Sequence, residues 1–155
     1  MKLRIVALGH RMPAWVAAGF DDYAKRMPRE SAVDLIELKP APRDRGKSAA
    51  QLLASEALRI RAAVSGFLMI ALDERGNAWT TKEFATRLAR WRAQAADVAF
   101  VIGSADGLDP GLKREAHAML ALSAMTLPHG LARVLLVEQL YRAASLDSGH
   151  PYHRE

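Results

Sequence analysis

The chain has 155 residues, 50% of them hydrophobic and 25% charged, the size and balance of one globular domain, which argues against disorder or a fibrous repeat. It has 0 cysteines, which excludes disulfides, thiol catalysis and zinc-thiolate sites and agrees with a cytoplasmic home. The formal net charge of +5 favours a polyanionic partner through phosphate contacts, whereas no apolar run nears the roughly 20 residues of a membrane span and no signal peptide is expected.

Strand-like and helix-like segments alternate along the chain, the pattern of a parallel sheet covered by helices. Leu3–Leu8 reads as the first strand. Residues 15–26 form the first helix, with Trp15, Val16, Phe20 and Tyr23 on one side. A second strand spans residues 32–38. Residues 39–47 hold Pro40, Pro42 and Gly46 among Lys39, Arg43, Arg45 and Lys47, which makes a basic loop. The second helix opens at Ser48, where Ser48 and Gln51 have capping-box spacing, and stops before Gly66.

Residues 67–72 are continuously apolar, as in a strand buried on both faces, and end at Asp73, Glu74, Arg75, Gly76 and Asn77. Thr80 and Glu83 make a second capping box, opening a helix with Phe84, Leu88 and Trp91 at helical spacing. A fourth strand over residues 97–102 delivers the chain to Gly103, Ser104 and Gly107. Asp109 and Pro110 then read as an N-cap and first helical position. That helix runs to about His117, a fifth strand covers residues 120–124, and the last helix begins near Gly130 and reaches Leu146.

Ligands of open parallel sheets bind at the carboxyl ends of the strands. This selects the loops after Leu72, Ile102 and Ala124. The usual nucleotide signatures are missing: the first strand leads into Gly9, His10, Arg11, Met12 and Pro13 without dinucleotide-binding glycine spacing, and there is no P-loop. No serine sits in a nucleophile elbow. His150 and His153 have too few neighbouring carboxylates, on too loose a frame, to suggest a metal.

The last thirty residues carry the strongest chemical signal. Three of the 5 histidines (His129, His150, His153) lie there with Tyr141, Tyr152, Arg133, Arg142 and Arg154, although chain ends are usually frayed. The last helix is apolar around most of its circumference, so it needs cover on more than one side. A second subunit is the expected cover, which predicts a homodimer, with a purely intramolecular core helix as the alternative.

Across essentially its whole length the chain resembles the SPOUT-class methyltransferases that modify N3 of a pseudouridine in large-subunit ribosomal RNA, the RlmH (YbeA) family. The residues that carry the resemblance are Val101-Ile102-Gly103 with Gly107-Leu108, Thr126-Leu127-Pro128-His129, Arg133-Val134 with Glu138-Gln139-Leu140-Tyr141-Arg142, and the terminal His150-Pro151-Tyr152-His153-Arg154-Glu155. The resemblance implies an α/β fold, a parallel sheet of about five or six strands with helices on both faces and a C-terminal trefoil knot. It also implies a dimer that uses S-adenosyl-methionine as methyl donor and ribosomal RNA, within the ribosome or large subunit, as acceptor. No membrane or DNA partner is expected.

Matched by motif, the cofactor would touch Leu72, Gly103 and the segment Leu122, Ser123, Ala124, Met125, Thr126 and Leu127, in the loops that the strand-end rule selects. Where the family commonly has two adjacent glycines, this chain has Gly103-Ser104, and serine would be strained if that position needed positive φ.

The acceptor N3 carries a proton that must be removed or its anion stabilised. His129 and His153 are candidates for proton handling, Arg142 and Arg154 for anion stabilisation or phosphate contact, and Tyr152 for stacking or hydrogen bonding. Arg142 follows Glu138 by four residues and could equally form an intrahelical pair, and His129 could be a packing residue. Arg11, Lys25, Arg26 and the basic loop are further candidates for RNA contact. The rival expectations are a SPOUT enzyme acting on another RNA and a non-catalytic ribosome- or RNA-binding assembly factor.

Overall fold

The computed structural model describes residues 1–43 and 46–153. Among them, β1 (Leu3–Leu8), β2 (Val33–Leu38), β3 (Leu68–Ala78), β4 (Val98–Ile102) and β5 (Ala118–Ala121) form a five-stranded sheet in the order β2-β1-β4-β3-β5. Every pairing is parallel. The helices are α1 (Ala14–Ala24), α2 (Ala49–Ala63), α3 (Thr81–Ala93), α4 (Pro110–Glu115) and α5 (His129–Asp147), with one 3-10 turn at Arg29–Ser31.

Both faces of the sheet are covered. Phe20 of α1, Phe84 and Trp91 of α3 and Leu136 and Leu140 of α5 pack on one face. Ala57 and Ile60 of α2 and Leu112 of α4 pack on the other. All five residues of β4 are buried, because it lies between β1 and β3 and beneath helices on both sides, the environment that selects a continuous apolar run. The two capping boxes form as their spacing predicts, Gln51 N–H donating to Ser48 Oγ at 3.2 Å and Glu83 N–H to Thr80 Oγ1 at 3.1 Å.

Two strands depart from the pattern in the sequence. β3 continues past Leu72 to Ala78, because after a register shift both Leu72 and Asn77 face Leu120 of β5. Residues 73–76 form the intervening bulge. β5 ends at Ala121 rather than Ala124, which leaves Leu122, Ser123 and Ala124 to the following loop.

α5 obtains part of its cover within the chain. It packs against α1, where Gly19 lies beside Val134 and Gly130 beside Val16, two glycines that let the helices approach closely. On its other flank Thr81 Oγ1 of α3 bonds Gln139 at 2.9 Å, and Arg92 pairs with Asp147. The sheet, α1 and α3 thus bury one side of α5, while Leu131, Val134, Leu135 and Tyr141 stay half-buried in the single chain. Among the described residues no helix is long and apolar enough to cross a membrane.

Candidate active site

A cleft of about 870 Å³ opens at the carboxyl ends of β1, β3, β4 and β5. Leu8, Leu72, Ile102, Leu108, Leu120 and Leu127 supply apolar wall, and both size and lining suit a small organic molecule. To reach α5, residues 122–128 cross from the β5 edge towards β4 and β1, so that His129 meets the backbone of Gly103 and the α5 side chain Arg133 meets that of Gly9.

Gly103 begins the turn that lines the middle of the cleft. A Cβ there would lie 2.5 Å from the Gly107 carbonyl oxygen, so only glycine fits. Gly107 itself has φ +82°, and its N–H donates to Ser104 O at 2.9 Å. Ser104 is not strained: among the described non-glycine residues only Arg11 and Ala95 have positive φ. The feared cost of serine beside Gly103 is absent because the left-handed position of this turn is Gly107.

Ser104 instead makes a specific contact. Its hydroxyl donates to Glu56 Oε1 at 2.9 Å, and Glu56 Oε2 accepts the Ala41 N–H at 2.9 Å. The basic loop is thereby drawn against the cleft, with Pro40, Ala41 and Arg43 in its wall. Arg43 pairs with Asp106 at 3.0 Å. Arg45 of the same loop lies outside the described residues.

The β3 bulge supplies two carboxylates. Asp73 pairs with Lys113 at 3.0 Å, and Glu74 accepts the Thr126 hydroxyl at 2.7 Å. Burial opposes ionisation of Asp73, but hydrogen bonds from the Arg75 N–H and Lys113 outweigh it and hold the carboxyl below its ordinary range.

At the opposite wall the His129 ring contacts Gly103 O through Nδ1 at 3.0 Å and Arg133 Nε through Nε2 at 2.9 Å. Burial, foremost, pushes the imidazole below its usual value. The neighbouring Arg133 adds to this, while the Gly103 carbonyl and Glu37 act against it.

Of the residues singled out in the sequence, the fold brings Leu72, Gly103, Leu122, Ser123, Met125, Thr126, Leu127 and His129 together around the cleft. Ala124 is exposed and outside the lining. Arg142, Tyr152 and His153 are also outside it. Arg142 lies thirteen residues beyond His129 on the same helix, about 20 Å along its axis at 1.5 Å per residue.

The tail residues form a cluster of their own. Arg142 Nε donates to Glu138 Oε1 at 2.9 Å, and the Tyr152 hydroxyl donates to the same oxygen at 3.1 Å. The Arg142 guanidinium lies 4.9 Å from the Tyr152 ring centroid. Arg154 lies outside the described residues. The intrahelical pair weighed as the alternative for Arg142 forms, and it also anchors the tail.

Glu56, Arg43, Asp73, Lys113 and Arg133 complete the polar lining and support of the cleft, and sequence spacing did not single them out for it. The contacts that bring them there are mostly long-range: Glu56 to Ser104 spans 48 residues, Arg43 to Asp106 63, Lys113 to Asp73 40, and Arg133 to Glu37 and Gly9 96 and 124. The local signals were the position of Asp73 beside a strand-end loop, the place of Arg43 in the basic loop and that of Arg133 in the C-terminal cluster.

The family model described as "Predicted SPOUT methyltransferase" matches residues 1–153. A Nitrosospira multiformis protein named Ribosomal RNA large subunit methyltransferase H is 57% identical, over 99% of each chain. A Burkholderia cenocepacia protein of the same name is 56% identical, also over 99% of each. Among solved structures, a probable methyltransferase from Bordetella pertussis Tohama I aligns with TM-score 0.60 and 21% identity over 92% of this chain and 95% of that one. A probable methylase family protein from Haemophilus influenzae Rd KW20 aligns with TM-score 0.60 and 17% identity, over 99% of this chain and 70% of that one. These structural likenesses bear on the fold alone.

Proposed function

The chain belongs to the SPOUT methyltransferase family, and on that premise we propose that it methylates N3 of a pseudouridine in large-subunit ribosomal RNA. The observation that carries this reading is the end-to-end identity of 57% and 56% with proteins named for methylation of that RNA. The methyl donor is S-adenosyl-methionine, and the cleft suits it. Leucine walls can sandwich adenine, the tight Gly103 turn brings backbone groups within reach of its edge, and 870 Å³ is ample for the molecule.

The donor supplies an electrophilic methyl group on sulfur. The chain must hold the acceptor nitrogen in line with the carbon–sulfur bond and take up the N3 proton. Leu72, Gly103 and the loop containing Leu122, Ser123, Met125, Thr126 and Leu127 would hold the donor. Arg142, Tyr152, His153 and Arg154 would meet the base. Because Arg142 lies about 20 Å along α5 from His129, the cluster it forms with Tyr152 fits a role at the cleft of a second copy better than at its own. Trp15, 58% exposed on α1, supplies apolar surface for such a homodimer. The crossing of residues 122–128 over the strand ends supports the C-terminal knot that the family resemblance implies. Cytoplasmic location follows from the substrate.

The test is methyl transfer from labelled donor to purified ribosomes, separated subunits and tRNA, with the modified base mapped. Label at N3 of a large-subunit pseudouridine is expected. Label in another RNA would move the substrate, and absence of saturable donor binding would favour a non-catalytic RNA-binding role.

A further inference from the structure

One continuous polar chain ties the carboxyl end of the sheet to the start of α5. Arg133 is 2% exposed and spends all three guanidinium nitrogens on protein acceptors. Nε donates to His129 Nε2 at 2.9 Å, Nη1 to Glu37 Oε2 at 2.6 Å and Nη2 to the Gly9 carbonyl at 2.7 Å. β1, β2 and α5 thus meet at one cation, and the His129 ring extends the chain to Gly103 O, 3.0 Å away, at the end of β4.

This arrangement decides the His129 tautomer. A guanidinium has donors and no acceptor, so Nε2 must present its lone pair to Arg133. The ring proton then sits on Nδ1 and is donated to the Gly103 carbonyl. A general base needs a free lone pair within reach of the proton it removes. The one lone pair of this neutral ring is already filled.

We propose that His129 and Arg133 are positioning residues that fix the Gly103 turn, and that His129 is not the acceptor of the substrate proton. The proposal rests on the methyltransferase reading and deepens it by removing one of the two histidine candidates for proton handling. The turn can be held this way because it has no slack. Gly103 packs directly on the Gly107 backbone, and a Cβ at Gly9 would lie 3.2 Å from His129 Nε2 and 3.4 Å from Arg133 Nη2. Without His129 the Gly103 carbonyl loses its partner, and the buried guanidinium loses one of its three acceptors.

Nitrogen-15 NMR of the wild-type imidazoles reads the tautomer directly and does not depend on methyl transfer. A neutral His129 protonated on Nδ1 at pH 7 is expected; an Nε2-protonated or charged ring overturns the proposal. Steady-state kinetics supply the second arm. In His129→Asn the shorter amide can still donate towards Gly103 but no longer reaches Arg133, so the bridge between them is broken. The KM and calorimetric Kd for S-adenosyl-methionine should rise about tenfold, kcat should fall much less, and the acid limb of the pH–rate profile should persist. Arg133→Lys, which keeps the charge but not the fork, should give the same split. A fall in kcat of about 10²-fold or more at unchanged KM, with loss of the acid limb, is the signature of a base and would also overturn it. A protein that binds the donor but labels no ribosomal RNA would fail the functional reading, while the NMR and calorimetric arms remain decisive for the network.

Discussion

The Ser104 hydroxyl donates to Glu56 Oε1 at 2.9 Å, joining the turn after β4 to a carboxylate on α2 that is 4% exposed. The other Glu56 oxygen accepts the backbone N–H of Ala41, so one buried side chain fixes two walls of the cleft. Ser104→Ala leaves the carboxylate short of a partner and should cost about 1.5–3 kcal/mol, the range for a hydrogen bond to a charged group. Glu56→Gln, which can still accept from Ala41 and donate to Ser104, should cost less than Glu56→Ala. Urea denaturation of the three variants checks the order, and equal stabilities would show that this contact does not fasten the loop.

Gly103 and Gly107 should respond differently to the same substitution. At Gly107 the space beside Cα is open and only φ +82° resists a side chain, so Gly107→Ala should cost about 1–2 kcal/mol. At Gly103 the new methyl meets the Gly107 carbonyl oxygen at 2.5 Å, backbone against backbone, so the turn itself must move. Gly103→Ala should therefore lower donor affinity at least tenfold, whereas Gly107→Ala should lower thermal stability more than binding. Calorimetry and thermal melts separate the two effects.

The parts of the fold legible in the sequence are those set by neighbours in the chain. The capping pairs Ser48/Gln51 and Thr80/Glu83 depend on three-residue spacing, and the apolar run ending at Ile102 depends on burial of both faces of β4. The bulge that lets Leu72 and Asn77 both face Leu120 has no such periodic signal. Its charged residues, read as the end of a strand, become a wall of the cleft. The strand-end rule found the cofactor loops because it depends on topology alone. It could not find Arg133, whose partners Glu37 and Gly9 lie 96 and 124 residues away. Nor could it separate His129 beside the cleft from Arg142 far along the same helix.

His129 and, among the carboxyls held below their ordinary range, the partly buried Asp73 shape the acid side of the stability profile. Folding holds His129 below its unfolded value of 6.5, so the native state resists protonation there. The stability tied to the neutral ring is complete above pH about 6.5 and is lost as pH falls from that value through the lower folded one. Asp73 is also depressed, from 3.8, and its contribution is complete above about pH 4 and lost on further acidification through the folded value. The denaturation midpoint should fall in two steps, the upper absent in His129→Asn and the lower weakened in Asp73→Asn. A wild-type profile flat between pH 7 and 5 would contradict the upper assignment.

The tail can be separated from the cleft by truncation. The Tyr152 ring lies tilted 4.6 Å from that of Tyr141, and its hydroxyl shares Glu138 with Arg142. Burial, with Tyr23 and the Glu138 carboxylate beside it, raises the Tyr152 phenol above its ordinary value, so it remains a hydrogen-bond donor throughout any practical assay range. Deleting residues 152–155 removes no described residue that lines the cleft. Donor binding by calorimetry should stay within about twofold, while methyl transfer should be lost if these groups meet the base, as in other sites where positioning dominates the rate. Mixed dimers then decide which cleft the tail serves. The truncated chain keeps a sound cleft, and full-length Gly103→Val keeps a sound tail. If the tail acts across the interface, mixing the two inactive proteins restores methylation at the truncated chain's cleft. If it acts within its own chain, neither cleft is complete and the mixture stays inactive.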